Sequence, residues 1–92
     1  MEITAYQLDM MKHAIGLDNP RWPHLYHRHR KTFFRMWRNC YCAGGKDARQ
    51  WDDLACKGLA LKVSETQTVF RLTDEGIETV ASLTDTVIRR EK

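Results

Sequence analysis

The sequence predicts one α+β domain, mostly helical with a single β-hairpin, over residues 1–92. Three observations support this fold class. Apolar residues recur at helical spacing in several segments, two later segments alternate apolar and polar residues as strands do, and the chain is too short for two hydrophobic cores. The 42% hydrophobic content and the lack of a low-complexity tract are those of a chain that folds around one core.

The first helix is predicted over residues 5–15. Thr4 and Gln7 have the T-x-x-Q spacing of a capping box, and apolar residues then recur every three or four positions. Gly16 follows the last of them, where a left-handed residue commonly ends a helix. A loop is predicted over residues 18–23, because two prolines three positions apart prevent a continuing helix.

The segment after this loop, from His24 to about Arg38, is also predicted to be helical. Its aromatic residues fall near one face of such a helix. Basic residues are spaced three, four and three positions apart, which in a helix forms one stripe: Arg28, Lys31, Arg35 and Arg38.

The middle of the chain is predicted to hold a short strand, a helix and the β-hairpin. Residues 40–43 form the predicted strand, and Asp47 is the predicted cap of a helix that Gly58 ends. Residues 59–63 and 68–72 alternate apolar and polar positions around a four-residue turn.

The last helix is predicted to begin at Thr73 or Asp74. Apolar residues at helical spacing continue as far as Val87 or Ile88, so the predicted helix includes them.

The net charge of +3 conceals an uneven distribution of charge. Residues 20–38 carry six basic and no acidic residues: Arg21, Arg28, Arg30, Lys31, Arg35 and Arg38. A charge run is usually a solvated face, and a membrane-surface helix would need a cleaner apolar side. Phosphate-backbone binding is favoured, because an anionic partner offsets the mutual repulsion of the cations. Trp37 or Tyr26 would then stack on bases or anchor the partner.

Three cysteines, an odd number, indicate free thiols in a reducing compartment. Cys40, Cys42 and Cys56 are interpreted as small core residues. Structural zinc is not predicted, since no C-x-x-C pair or regular finger spacing occurs beside the His27-x-His29 pair.

Catalysis finds no support in the sequence. It lacks a phosphate-binding glycine loop with a lysine, a nucleophile elbow and an H-E-x-x-H motif. Asp52 and Asp53 are adjacent on a helix and point about 100° apart, which is poor geometry for a carboxylate pair. The protein is therefore expected to be no enzyme, with no cofactor and no small-molecule substrate. It has no apolar run long enough for a membrane span and no secretory signal, so a cytoplasmic location is expected.

The segment from Trp51 to Ile77 resembles the wing and closing helix of winged-helix domains, with Gly58-Leu59 and the L-T-x-x-G sequence of Leu72–Gly76. The resemblance implies that the helix before the hairpin enters the DNA major groove. Three aspartates on that helix would face phosphates, and Gly44-Gly45 stands where the partner helix would be. A structural hairpin is the favoured role.

The chain as a whole resembles a group of small proteins encoded by bacteriophages and prophages. The resemblance rests on four short blocks: Gln7–Asp18, Trp37–Gly45, Lys57–Ala60 and Val69–Gly76. The basic tract from Arg21 to Arg35 departs from the shorter linker of that group. Among small phage proteins, the chain resembles the type I-F anti-CRISPR inhibitors.

This resemblance implies a non-enzymatic inhibitor that binds the RNA-guided surveillance complex of a type I-F CRISPR system. It would bind Cas proteins, guide RNA or both, and block recognition of target DNA in the host cytoplasm. The alternative is a phage transcriptional regulator that binds duplex DNA as winged-helix proteins do. The acidic helix before the hairpin favours the first.

Overall fold

The computed structural model of the protein describes residues 3–17, 25–28, 30–64 and 66–90, excepting the side chains of Leu25 and Tyr26. Within these residues the chain forms three helices and two three-stranded sheets. The elements are α1 (Ala5–Ile15), β1 (Leu25–Arg28), β2 (Lys31–Met36), β3 (Tyr41–Cys42), α2 (Lys46–Cys56), β4 (Ala60–Lys62), β5 (Val69–Leu72), α3 (Asp74–Thr84) and β6 (Thr86–Arg90). The predicted α+β class is confirmed, but the prediction of a mostly helical domain with a single hairpin is wrong, because six strands of the described residues form two sheets with two hairpins.

Helix α1 begins and ends as the sequence predicts. The Gln7 backbone N–H donates to Thr4 Oγ1 at 3.0 Å, and the Thr4 N–H donates to Gln7 Oε1 at 3.0 Å, which is the reciprocal capping box. Gly16 ends the helix with a left-handed φ of 86°. Its N–H and that of Leu17 donate to carbonyls in the last turn of the helix.

The predicted second helix, from His24 to Arg38, is wrong. Its described residues form a β-hairpin, β1 and β2, in which Leu25 lies opposite Phe34 and Arg28 opposite Lys31. Thr32, Phe33 and Phe34 are β-branched or aromatic, which favours a strand. The strands alternate, so that Phe34 is fully buried while Lys31 is exposed.

The predicted extension of the last helix to Val87 or Ile88 is also wrong. Helix α3 ends at Thr84, and Asp85 adopts a left-handed φ of 50° that reverses the chain. The β-branched run that follows becomes β6, which pairs in parallel with β2. Ile88 then lies opposite Phe34 and packs against the core.

Two sheets result from these pairings. The first has the order β1-β2-β6, with β2 antiparallel to β1 and parallel to β6. The second has the order β3-β5-β4 and is antiparallel. The predicted hairpin is confirmed as β4 and β5, and the predicted short strand as β3.

Helix α2 lies at its predicted place, but Asp47 does not cap it. Gly45 is the N-cap residue, with a positive φ of 54° and no side-chain cap. The Asp47 carboxylate instead accepts hydrogen bonds from the hydroxyls of Tyr6 and Tyr41. It therefore ties α1 and β3 to the start of α2.

Asn39 joins the two sheets. Its side-chain Nδ2 donates to the Leu72 carbonyl at 3.0 Å, and its Oδ1 accepts the Leu72 N–H at 2.8 Å. Tyr41 is paired with Phe70, so position 39 lies where the β3 strand would meet Leu72. The Asn39 amide thus continues the ladder with side-chain atoms just after the chain leaves the first sheet.

The core lies between the helices and the inner faces of the sheets. Trp51 is fully buried, and its ring stacks on Phe70 with centroids 5.6 Å apart and contacts Tyr41 at 5.1 Å. Each such buried aromatic stabilises the fold by roughly 1.5–3 kcal/mol. No helix of the described residues is long and apolar enough to cross a membrane.

The cysteines are free thiols, as predicted, but the prediction that they lie in the core is wrong. All three are exposed: Cys40, Cys42 and Cys56. On β3 the Tyr41 ring packs against Trp51, so the two cysteines that flank it take the opposite side of an alternating strand.

Candidate nucleic-acid interface

One face of the β1-β2-β6 sheet gathers basic residues. Strand alternation directs Phe34 into the core and places the odd-numbered residues of β2 on the other side. The pairing brings Arg28 opposite Lys31 and Arg89 opposite Arg35. We call this surface the basic sheet face: Arg28, Lys31, Phe33, Arg35 and Arg89.

The charge of this face is unbalanced. Strands β1, β2 and β6 contain five basic residues and no acidic residue. Arg90, on the opposite side of the sheet, forms ion pairs with α3, at 3.6 Å from Asp74 and 3.3 Å from Glu78. Among the residues that the structure describes, no carboxylate pairs with Arg28, Lys31 or Arg89. Like charges directly opposite one another destabilise a sheet, so this arrangement costs stability.

The centre of the face is apolar. Phe33 is half-buried and lies opposite Val87, whose side chain is 39% exposed. The Arg89 guanidinium carbon lies 5.4 Å from the Phe33 ring centroid, which is cation–π distance. An apolar strip therefore separates the Arg28–Lys31 pair from the Arg35–Arg89 pair.

Arg30 stands at one end of the face, in the β1–β2 turn. Its φ is 65°, a left-handed conformation that costs a residue with a side chain roughly 1–2 kcal/mol. With Lys31 and Thr86 it lines a shallow cleft of about 300 Å³. Asp85, which directly precedes β6, also lines this cleft.

Arg38 and Trp37, both predicted site residues, do not lie on the basic sheet face. The Arg38 Nε and Nη2 donate to the His13 carbonyl at 3.0 and 2.6 Å, at the negative end of α1. The Arg38 guanidinium lies 4.6 Å above the Trp37 ring. A Cβ on Gly16 would overlap the Trp37 indole, so the ring packs directly on the glycine backbone.

The prediction that these basic residues form one stripe along a helix is therefore wrong. The structure keeps Arg28, Lys31 and Arg35 together on the sheet and assigns Arg38 to the end of α1. Arg21 and His24 lie outside the described residues. The backbone of Tyr26 lies opposite Phe33.

Arg89 belongs to the face but was missed by the sequence analysis. The helical spacing of the apolar residues placed Val87 or Ile88, next to Arg89, at the end of the predicted last helix. Three consecutive β-branched residues precede Arg89, Thr86, Val87 and Ile88, and such a run favours a strand.

The aspartates of α2 have a structural role. Asp53 Oδ2 accepts hydrogen bonds from Gln7 Nε2 at 2.8 Å and lies 3.0 Å from Lys57 Nζ. The bond from Gln7 and the bond from Lys57 hold the pKa of Asp53 below its usual value of 3.8. Gln7 is itself buried, so this bond connects α1 to α2.

No group of three metal-ligating side chains occurs in the described parts of the chain. Cys40 and Cys42 line a shallow cleft of about 330 Å³ with His13, Arg38 and Tyr41. The His13 and Tyr41 rings meet edge to face at 5.5 Å.

No protein-family model matches this chain, and comparison with curated proteins and with solved structures finds no match either.

Proposed function

We propose that this protein is a non-enzymatic binding protein whose basic sheet face contacts the phosphate backbone of a nucleic acid. The observation that carries the proposal is the register that places like charges opposite each other, Arg28 with Lys31 and Arg35 with Arg89. Among the described residues, no carboxylate forms an ion pair with Arg28, Lys31 or Arg89. Phosphates bound across the two pairs would offset the repulsion and accept bidentate bonds from arginine.

The finer proposal concerns the partner. The type I-F surveillance complex exposes guide RNA, a phosphate backbone held on protein, and the resemblance to small phage proteins supports an inhibitor of that complex. Binding at the basic sheet face would occupy the guide and exclude target DNA. The protein would act by occupancy alone, without chemistry.

Charge reversal tests the binding surface. The face variant Arg28→Glu/Arg35→Glu and the hairpin variant Lys62→Glu/Arg71→Glu change the net charge equally. Fluorescence anisotropy with a labelled single strand should show a large loss for the face variant only. Two lost phosphate contacts should also reduce the slope of log K against log salt by about 1.4. Equal losses in both variants would show that net charge, and not this face, determines binding.

The partner is tested by competition. Purified type I-F complex is incubated with the protein and then offered labelled target duplex. We expect the wild type and the hairpin variant to prevent duplex binding and the face variant to permit it. Full inhibition by the face variant would contradict the proposed docking surface, and duplex binding undisturbed by the wild type would reject this partner.

A second candidate is a winged-helix-like regulator that binds duplex DNA through α2 and the β4–β5 hairpin. It is favoured by one observation, that the hairpin follows directly on a helix and pairs with the short strand β3. The exposed Asp52 on α2 opposes it, since a carboxylate repels phosphates. This candidate predicts the reverse of the charge test: tight duplex binding that the hairpin variant loses and the face variant keeps.

A further inference from the structure

We infer that the basic sheet face takes a single-stranded nucleic acid and stacks a base on the paired Arg89 and Phe33 side chains. This inference rests on the proposed function and specifies the strand that the face accepts. Its basis is the division of the face into two basic ends and an apolar centre.

The first step is the position of Phe33. It lies on the central strand of the sheet, two residues from Lys31 and two from Arg35, so about 7 Å of strand separates it from each cation. Val87 lies beside it on β6 and remains exposed. A phenyl ring on the basic side of a sheet offers a surface on which a nucleobase can stack.

The second step is the guanidinium above the ring. The Arg89 guanidinium carbon lies 5.4 Å from the Phe33 ring centroid, within the distance of a cation–π contact. Bases stack on arginine planes as well as on aromatic rings. A base can therefore occupy the free side of the guanidinium or displace it from the ring, with apolar contact to Val87 in either arrangement.

The apolar strip between the two basic ends does not suit a duplex. The two like-charge pairs lie about 13 Å apart along β2, with the apolar strip between them. In a duplex the bases are stacked inside, so a duplex would set its hydrated backbone against Phe33 and Val87. A single strand can place phosphates at both basic ends and turn an unstacked base toward the centre.

The test compares three labelled ligands of equal length by anisotropy at about 150 mM salt: a 12-residue adenine strand, an abasic 12-residue strand and a 12-bp duplex. One stacked base contributes about 1–3 kcal/mol, so we expect the adenine strand to bind about 5- to 150-fold more tightly than the abasic strand. The ratio should be the same for RNA and DNA, because both present the same base.

Two variants separate stacking from charge. Phe33→Leu keeps an apolar side chain and should abolish the adenine preference while leaving the salt slope unchanged. Lys31→Gln should reduce the slope by about 0.7 and keep the preference. Circular dichroism and thermal melting of each variant check the fold, and the wild-type comparison of adenine with abasic strand needs no variant.

The two hypotheses fail differently. Equal affinity for the adenine and abasic strands, or tighter binding of the duplex, would overturn base stacking and leave phosphate binding intact. No measurable affinity for any of the three ligands at low salt would overturn the proposed function together with this inference.

Discussion

Like charges that lie opposite each other on the basic sheet face lower the stability of the fold. Arg28 and Lys31 lie directly across the ladder from each other, where like charges repel and opposite charges attract. A sequence selected for stability alone would place a carboxylate at one of the two positions. The cost of the observed pair can therefore be measured by supplying that carboxylate.

We predict that Arg28→Glu stabilises the free protein. A repulsive pair becomes an attractive one, and cross-strand pairs contribute about 0.2–1 kcal/mol. At the upper end this raises Tm by about 4–8 °C in a domain of this size. The measurement is thermal melting at low and high salt, where the gain should shrink as charges are screened.

Arg71→Glu is the matched control, because Arg71 is exposed on β5 opposite Leu61 and changes the net charge by the same amount. An equal rise in both variants would mean that only the total charge matters. Nucleic-acid affinity should fall in Arg28→Glu even though its Tm rises.

Asp53 gives the protein an acid-sensitive contact between α1 and α2. Its pKa is lowered in the folded state by the bond from Gln7 and then by Lys57. A lowered folded pKa means that the stabilisation is present above the usual value of 3.8 and is lost as the pH falls through the folded pKa. We predict that wild type exceeds Asp53→Asn in stability at pH 7 and that the difference shrinks below about pH 3.8. Urea midpoints at both pH values measure it, and a difference that stays constant contradicts the assignment.

At the scale of elements, one side chain bridges the end of the first sheet and the edge of the second. Asn39 makes two hydrogen bonds to the backbone of Leu72, where a strand would otherwise supply them. Asn39 lies in the segment that connects the end of β2 to the start of β3. The Asn39 amide therefore contributes to the placement of the two sheets beside the core packing of Phe34 and Ile88.

We predict that Asn39→Ala lowers the free energy of unfolding by about 1–3 kcal/mol, because the Leu72 N–H and C=O lose their partners in a partly buried place. Asn39→Asp keeps the acceptor but sets a carboxylate oxygen against the Leu72 carbonyl oxygen, so it should lose at least as much at neutral pH. Urea unfolding measures both. A loss below about 0.5 kcal/mol in Asn39→Ala would show that water or backbone replaces the amide.

Elements with local signals could be predicted from the sequence. The α1 capping box, Gly16 and the β4–β5 hairpin depend on residues within a few positions of each other, and all three are confirmed. The β1–β2 hairpin could not be predicted, because basic residues at three- and four-residue spacing imitate a helix. Its central strand also depends on β6, some fifty residues further along the chain.

In the candidate site, too, residues with a local signal could be predicted and those that depend on distant strand pairing could not. Arg28, Lys31 and Arg35 were recognisable from the absence of acids around them. Arg89 was not, because only the parallel pairing of β6 with β2 brings it to Arg35. Arg38 belongs to the same acid-free segment, yet its hydrogen bonds to the His13 carbonyl hold it at the end of α1.

At the scale of the whole molecule, the basic sheet face is assembled from distant parts of the sequence. Strand β6 supplies Arg89 and Val87 and packs Ile88 against the core beside Phe34. The face is therefore complete only when the last described strand has paired.

We predict that a chain ending at Asp85 loses about 1 kcal/mol of stability or more, since Ile88 is partly buried and complete burial of an isoleucine is worth about 1.5–3 kcal/mol. It should also lose the preference for a stacked base. Far-UV circular dichroism with urea, followed by anisotropy with adenine and abasic strands, measures both effects. Unchanged binding by the truncated chain would mean that β6 takes no part in the site.

The contact of Trp37 with Gly16 limits how this protein can evolve. Position 16 requires glycine both for its positive φ and because a Cβ there would overlap the indole. A lineage that replaced Trp37 with a smaller residue would remove the second requirement and keep the first, so Asn could then appear at position 16. Among descendants of this sequence, the loss of Gly16 should therefore be found only together with the loss of Trp37.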